Sequence, residues 1–227
     1  ETVDLWRLPD RAARRKNGGE GRRRDEGVWE WEDGACPRTI LMVKRSPDPR
    51  TTQSMVEAYE YLVSMYGTEK ERGRTGRDLR VIVDPEAVED LPEWAIRRMG
   101  HAFTFNREME RARTRARRYM GEMVPGELSR VVDAVLSLGG DGTLLRSTSL
   151  FSEEVPPTLA TNMGTLGFMT PSKREEQPRD LSRLMEGGFR VSERQRLEVT
   201  LQKKDGEAMS GVGPTGVAAG GADSLVE

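Results

Sequence analysis

The sequence predicts an α/β protein built on a mainly parallel sheet. Two observations carry that prediction. Short apolar runs at residues 39–44, 79–83, 131–138 and 158–161 alternate with helix-favouring stretches, and two glycine clusters, 139–143 and 162–168, each follow directly on such a run. Strands alternating with helices at this spacing imply a parallel sheet, and sheets of that kind bind ligands where the strands end.

The elements follow in order. Thr39 to Lys44 (TILMVK) is short, apolar and stopped by Ser46, Pro47 and Pro49, as a buried strand would be. Met55, Tyr59, Leu62 and Tyr66 then recur at helical spacing, with Thr51, Thr52 or Ser54 as candidate caps and Gly67 as the stop. Leu79 to Val83 is a second buried-type strand, ended by Asp84 and Pro85. Phe105 to Met120 is helical by propensity and heavily decorated with arginine, which reads as a solvated helix or inserted loop, with an electrostatic docking face as the alternative. Val131 to Leu138 predicts a central strand, TLLRSTSLF a helix, and TLAT after Pro156 and Pro157 a further strand. A polar helix is expected up to Glu186, then a break at Gly187 and Gly188. Phe189 to Leu201 follows, and its Arg196–Leu201 half alternates like a half-exposed strand. After Gly206 the text turns Gly/Ala-rich and loses periodicity.

The domain boundaries expected from this pattern are a disordered charged tail over 1–37, an α/β domain over 38–186, and the start of a second, β-rich unit over 187–227. The tail is dominated by Arg, Glu, Asp and Gly and cannot bury enough apolar surface to offset its ordering entropy, although Trp29 and Trp31 could dock on the folded part. The sequence begins at Glu1 rather than a methionine, as a processed form or fragment would.

Composition excludes several classes. The 227 residues have 36 Lys+Arg against 38 Asp+Glu, a formal charge of −2, so no global field draws the chain to nucleic acid or anionic lipid. One cysteine, Cys36, and one histidine, His101, argue against a disulfide, a thiolate or histidine metal cage and a Ser-His-Asp triad. No apolar run approaches the ~18–20 residues of a membrane span, and no signal-peptide core is present in the first thirty residues. A reducing, cytoplasmic location is expected.

The chemistry concentrates at Gly139-Gly140-Asp141-Gly142-Thr143, between a strand and a helix. Glycines around a single carboxylate let a nucleotide approach backbone N–H groups, and the following helix turns its positive end toward phosphate. Asp141 is then suited to accept a proton from a hydroxyl or to help hold a metal ion. This is an inventory for phosphoryl transfer, where positioning and charge neutralisation dominate. The competing reading is an ordinary tight turn, which seldom needs three glycines around one Asp. No G-x-x-x-x-G-K-[ST] loop occurs, and the formal G-x-G-x-x-G at Gly211, Gly213 and Gly216 lacks a preceding strand.

LGGDGTLLR (Leu138–Arg146) followed by PTLATNMGTLGFMT (Pro157–Thr170) resembles the NAD kinase family. The GGDGT element is shared with lipid kinases and 6-phosphofructokinases, and N-x-G-x-L-G-F is what separates them. The likeness runs from about Thr39 to Leu201. It implies a Rossmann-like domain that transfers the γ-phosphoryl group of ATP, or in some members polyphosphate, to the 2′-hydroxyl of NAD, with Mg²⁺ as cofactor. On the same resemblance, Asp141 would orient or deprotonate the hydroxyl. Gly139, Gly140, Gly142 and Thr143 would surround the phosphates, and Arg146 would reach the nucleotide. Phe168 would pack beside the adenine unless it is an ordinary core phenylalanine, and Asn162 would fix the turn or touch ligand.

The departures are equally specific. Family members continue into a β-rich domain carrying an Asn-Glu or Asn-Asp pair and a T-G-S-T-A-Y segment, and Pro214-Thr215-Gly216 is only a faint echo of the latter. The chain is therefore expected to be an amino-terminal part of such a kinase, incomplete as an enzyme and homo-oligomeric when full length. Two alternatives remain at this point: a lipid or sugar kinase of the same superfamily, or a non-catalytic nucleotide-binding subunit.

Overall fold

The computed structural model describes residues 21–23 (backbone alone), 27–31, 36–67, 79–100, 102–105, 127–151, 154–164 and 167–196. Strands β1 (Gly21–Arg23), β2 (Val28–Trp31) and β3 (Thr39–Lys44) are followed by helix α1 (Pro49–Tyr66), strand β4 (Arg80–Val83) and the short helices α2 (Pro85–Glu89), α3 (Glu93–Arg98) and α4 (Glu127–Val131). Then come β5 (Ala134–Gly139), α5 (Asp141–Ser149), β6 (Thr158–Asn162), β7 (Ser172–Lys173), α6 (Gln177–Glu186) and β8 (Phe189–Arg190).

The main sheet has five strands in the order β4-β3-β5-β6-β7, and every neighbouring pair is parallel. A parallel sheet is covered on both faces, which is why β3 and β5 are buried at every position and read as unbroken apolar runs. In β3, Ile40 and Met42 enter the cluster shared with α1, α2, α3 and α6, whereas Leu41 and Val43 enter the opposite cluster with Leu128, Val131 and Phe151. Each such side chain contributes roughly 1.5–3 kcal/mol on leaving water. The chain runs outward from β3 to β4 and then returns to β5 on the other side of β3, so the sheet changes winding direction between β3 and β5. That switch point is where open α/β sheets leave a crevice for ligand.

The cap of α1 is not among the residues expected. Asp48 is the N-cap, its carboxylate accepting from the Arg50 N–H at 2.9 Å, and Pro49 supplies a preset φ at the first helical position. Thr51, Thr52 and Ser54 lie buried inside the helix. The strand expected from Val131 begins at Ala134. Val131 ends α4, and Asp133 turns its carboxylate back to accept the Arg38 and Thr39 N–H groups, both at 2.9 Å, which holds the start of β3.

Within the expected tail over 1–37, two short segments are strands, and Trp31 docks on the folded part, as the sequence allows for Trp29 and Trp31. Val28–Trp31 pairs antiparallel with Gly21–Arg23 on one side and with Phe189–Arg190 on the other, giving a separate three-stranded sheet. Trp31 is buried, its Nε1 donates to the Leu184 carbonyl at 2.7 Å, and Trp29 meets it edge-on with centroids 5.8 Å apart. Those rings supply apolar area that composition averaged away. Gly187, at φ 87°, ends α6, a conformation that favours glycine, and a Cβ on it would lie tightly, 3.3 Å from both the Trp31 N and Cδ1.

The compact unit containing these elements extends through Val191. Most of the arginine-rich stretch 105–120, the strand expected over 196–201 beyond Arg196, and the Gly/Ala-rich end lie outside the described residues. Among the described residues, no helix is long and apolar enough to cross a membrane.

Candidate nucleotide site

The site assembles at the carboxyl end of β5. Gly139 is the last residue of that strand, Gly140 caps α5 in an extended conformation (φ −123°, ψ −165°), and Asp141 opens the helix. The three glycines serve different ends. A Cβ on Gly139 would lie 2.7 Å from the Thr143 Cβ, so this glycine is demanded by Thr143, which is itself buried. At Gly140 and Gly142 an added Cβ would meet nothing within 4 Å, and neither has a positive φ. Neither packing within the protein nor backbone geometry asks for glycine at those two positions. Without side chains at those two positions, a ligand can come close to the backbone at the start of α5, the positive end of the helix.

Asp141 faces the second glycine cluster. Its Oδ2 accepts from the Phe168 N–H at 3.0 Å, and its Oδ1 accepts from the Met169 N–H at 2.9 Å and from the Thr170 hydroxyl at 3.3 Å. Asn162, at the end of β6, accepts from the Gly164 N–H at 2.8 Å, so its side chain fixes the turn. Gly167 is needed there because a Cβ would lie 2.8 Å from the Asn162 Nδ2. Phe168 is 88% exposed, which removes the core-phenylalanine reading and leaves an aromatic face in solvent, its own N–H bonded to Asp141. The two glycine clusters are thus one site, joined through a carboxylate.

Arg146 lies elsewhere on α5. Its guanidinium forms ion pairs with Asp84 and, at 3.0 Å, with Glu86, and its Nη1 donates to the Lys44 carbonyl at 3.4 Å. Asp84 is fully buried, and burial lowers the Arg146 pKa from its ordinary value. On the other face of the sheet the Lys44 ammonium, also fully buried, donates to both oxygens of Asp90 at 2.6 and 2.8 Å. Sequence reasoning missed Lys44, Asp84 and Asp90. The available signal was a charged residue ending an apolar strand, twice over.

Among the described residues no group of three or more His, Cys, Asp or Glu side chains stands where it could hold a metal. Asp141 is the single carboxylate of the glycine loop. Mg²⁺ usually keeps several waters and is bound through one or two carboxylates together with substrate phosphates, and the loop by itself offers one such carboxylate.

The family model described as the ATP-NAD kinase N-terminal domain matches residues 40–189. The chain belongs to this family. It is similar to the mitochondrial NADH kinase of Saccharomyces cerevisiae, 28% identical over 170 residues covering 74% of this chain and 36% of the yeast enzyme. It is also similar to an NAD kinase of Citrifermentans bemidjiense, 34% identical over 123 residues covering 53% of this chain and 42% of that one. A crystal structure of yeast NADH kinase complexed with NADH superposes with a TM-score of 0.63 at 22% identity, covering 92% of this chain and 54% of that one, and shows the same fold. The chain thus spans less than half the length of these two curated relatives, 36% and 42%. The relatives named here are NAD or NADH kinases, and no observation favours a lipid or sugar kinase.

Proposed function

We propose that the protein is the amino-terminal nucleotide-binding part of a kinase that transfers the γ-phosphoryl group of ATP to the 2′-hydroxyl of the adenosine ribose of NAD or NADH. The observation that carries the reading is the placement of Asp141 between two glycines, 140 and 142, that the fold itself does not require. In this reading the ribose hydroxyl takes a place beside the Asp141 carboxylate. As its oxygen bonds to the γ-phosphorus, its proton passes to Asp141 and the bond to the bridging oxygen of ADP breaks. The positive end of α5 receives phosphate oxygens, and the exposed ring of Phe168 offers a stacking face to the adenine. Mg²⁺ would neutralise phosphate charge as the companion of ATP.

The test is NADP formation from NAD, ATP and Mg²⁺, and NADPH formation from NADH, by this chain and by the complete natural polypeptide. Product from the complete polypeptide, lost in its Asp141→Asn variant, is expected. No product above that variant would sink the proposal.

A further inference from the structure

We infer that Arg146 is a positioning residue that fastens the helix carrying Asp141 to the carboxyl ends of β3 and β4, and that it acts on phosphoryl transfer through Asp141 rather than by touching the nucleotide. The inference rests on the function proposed above for the site. It replaces the role that resemblance alone would give this arginine.

Within its own span α5 buries little apolar surface, its apolar anchor being Leu150 and Phe151 at the end far from Asp141. The helix has nine residues, of which only Thr143 and Ser147 are buried, both small and polar, while Leu145 is exposed. Apolar burial therefore holds this helix less firmly than it holds the strands beneath it. Arg146 supplies what the apolar face does not. Its planar fork reaches Asp84 just past β4, Glu86 in α2 and the carbonyl of Lys44 at the end of β3. The Asp84 and Lys44 contacts lie at the strand ends on one side of the switch point, and the pairing with Asp84 and Glu86 is one of charge at close range.

The same contacts keep Arg146 from serving phosphate. Its neighbour Asp84 is fully buried, and withdrawing the guanidinium would strand that carboxylate away from water, a strongly unfavourable change. Five residues along an α-helix amount to a rotation of about 140° net, so Arg146 and Asp141 leave the helix on different sides. Lys44 closes the arrangement from the opposite face. Its ammonium is bonded to Asp90, which holds the strand whose carbonyl receives Arg146.

The experiment uses the complete natural polypeptide with Arg146→Met, Arg146→Lys, Asp84→Asn and the Arg146→Met/Asp84→Asn pair. Two readouts are taken: kcat and KM for both nucleotides, and amide hydrogen exchange across α5 without ligand. A positioning role predicts at least tenfold lower kcat for Arg146→Met, KM values within about twofold, and faster exchange in α5. It predicts a smaller loss for Arg146→Lys, and partial recovery when Asp84→Asn removes the stranded charge. A tenfold or larger rise in KM for either nucleotide that persists in the double variant would overturn the inference, because the arginine would then be contacting ligand. Unchanged α5 exchange in Arg146→Met would overturn it as well. The exchange readout needs no turnover, so an enzyme that makes no NADP would defeat the proposed function while leaving this inference decidable.

Discussion

The Asp141 carboxylate accepts the Met169 backbone N–H at 2.9 Å across a gap of 28 residues in sequence. The acid that the proposed reaction needs as a proton acceptor is thereby also the peg on which the loop carrying Phe168 hangs. Substitution of Asp141 has two effects for that reason. Asp141→Asn is expected to lower turnover by about 10²–10⁴-fold, the usual scale of general-base loss. It also places an amide N–H₂ against a backbone N–H, so amide exchange at Phe168 and Met169 should accelerate. Slower turnover with unchanged exchange would show that the loop does not depend on the carboxylate.

The glycines separate by what surrounds them. Gly139→Ala forces a methyl into Thr143 and is expected to lower the melting temperature sharply, with a cost of ~1–3 kcal/mol for overpacking. Gly142→Ala meets open space and sits in the first turn of a helix, so it should leave stability unchanged or raise it by up to ~1 kcal/mol. Its expected effect is on nucleotide KM, raised tenfold or more. Thermal melts and kinetics on the two variants check both halves, and equal KM for Gly142→Ala and wild type would remove ligand approach as the reason for that glycine.

Phe168 has little to lose on folding and much to offer a base. At 88% exposure, its replacement by alanine should leave the melting temperature within about a degree. Loss of a base–aromatic contact of ~1–3 kcal/mol predicts a rise of roughly tenfold or more in dinucleotide KM. A tyrosine at the same place should restore most of it.

Acid should loosen the start of α1. Burial pushes the Asp48 carboxyl upward, but hydrogen bonds from Arg50 and Arg45 and the charge of Arg50 prevail and hold its pKa at about 2, against 3.8 ordinarily. The folded protein thus binds this proton more weakly than the unfolded chain. The stabilisation is complete above about pH 4 and fades as pH falls toward 2. Both arginines are about half exposed or more, so solvent screening limits the contribution to ~1 kcal/mol. Asp48→Asn keeps an N-cap acceptor and removes the charge. Urea unfolding of the two proteins should differ at pH 6 and converge near pH 2.

Legibility in the sequence followed burial. TILMVK occupies β3 residue for residue because both faces of a central parallel strand are apolar, leaving no ambiguity of side. The strand-to-helix turn at Gly139–Gly142 was legible because an apolar run ending in glycines before a helical stretch marks such a junction. Val131 to Asp133 misled because an apolar pair before a buried acid resembles a strand, while the acid's real partners, Arg38 and Thr39, lie some 95 residues earlier. Lys44, Asp84 and Asp90 were opaque for the same reason, since a buried charge is explained only by a partner that the fold brings to it. Docking of Trp29 and Trp31 was legible from the two rings, but their strand pairing was not, because the partner Phe189–Arg190 lies far along the chain.

The indole of Trp31 and the carbonyl of Leu184 are 153 residues apart in the chain. A ribosome adding ~5–20 residues per second needs roughly 8–30 s to make that interval. Throughout that time the first strand of the small sheet has been synthesised and its closing partner has not. Newly made chains therefore hold an aromatic edge unsealed while the five-stranded sheet forms beside it, and chaperones that shield such edges have this interval in which to act.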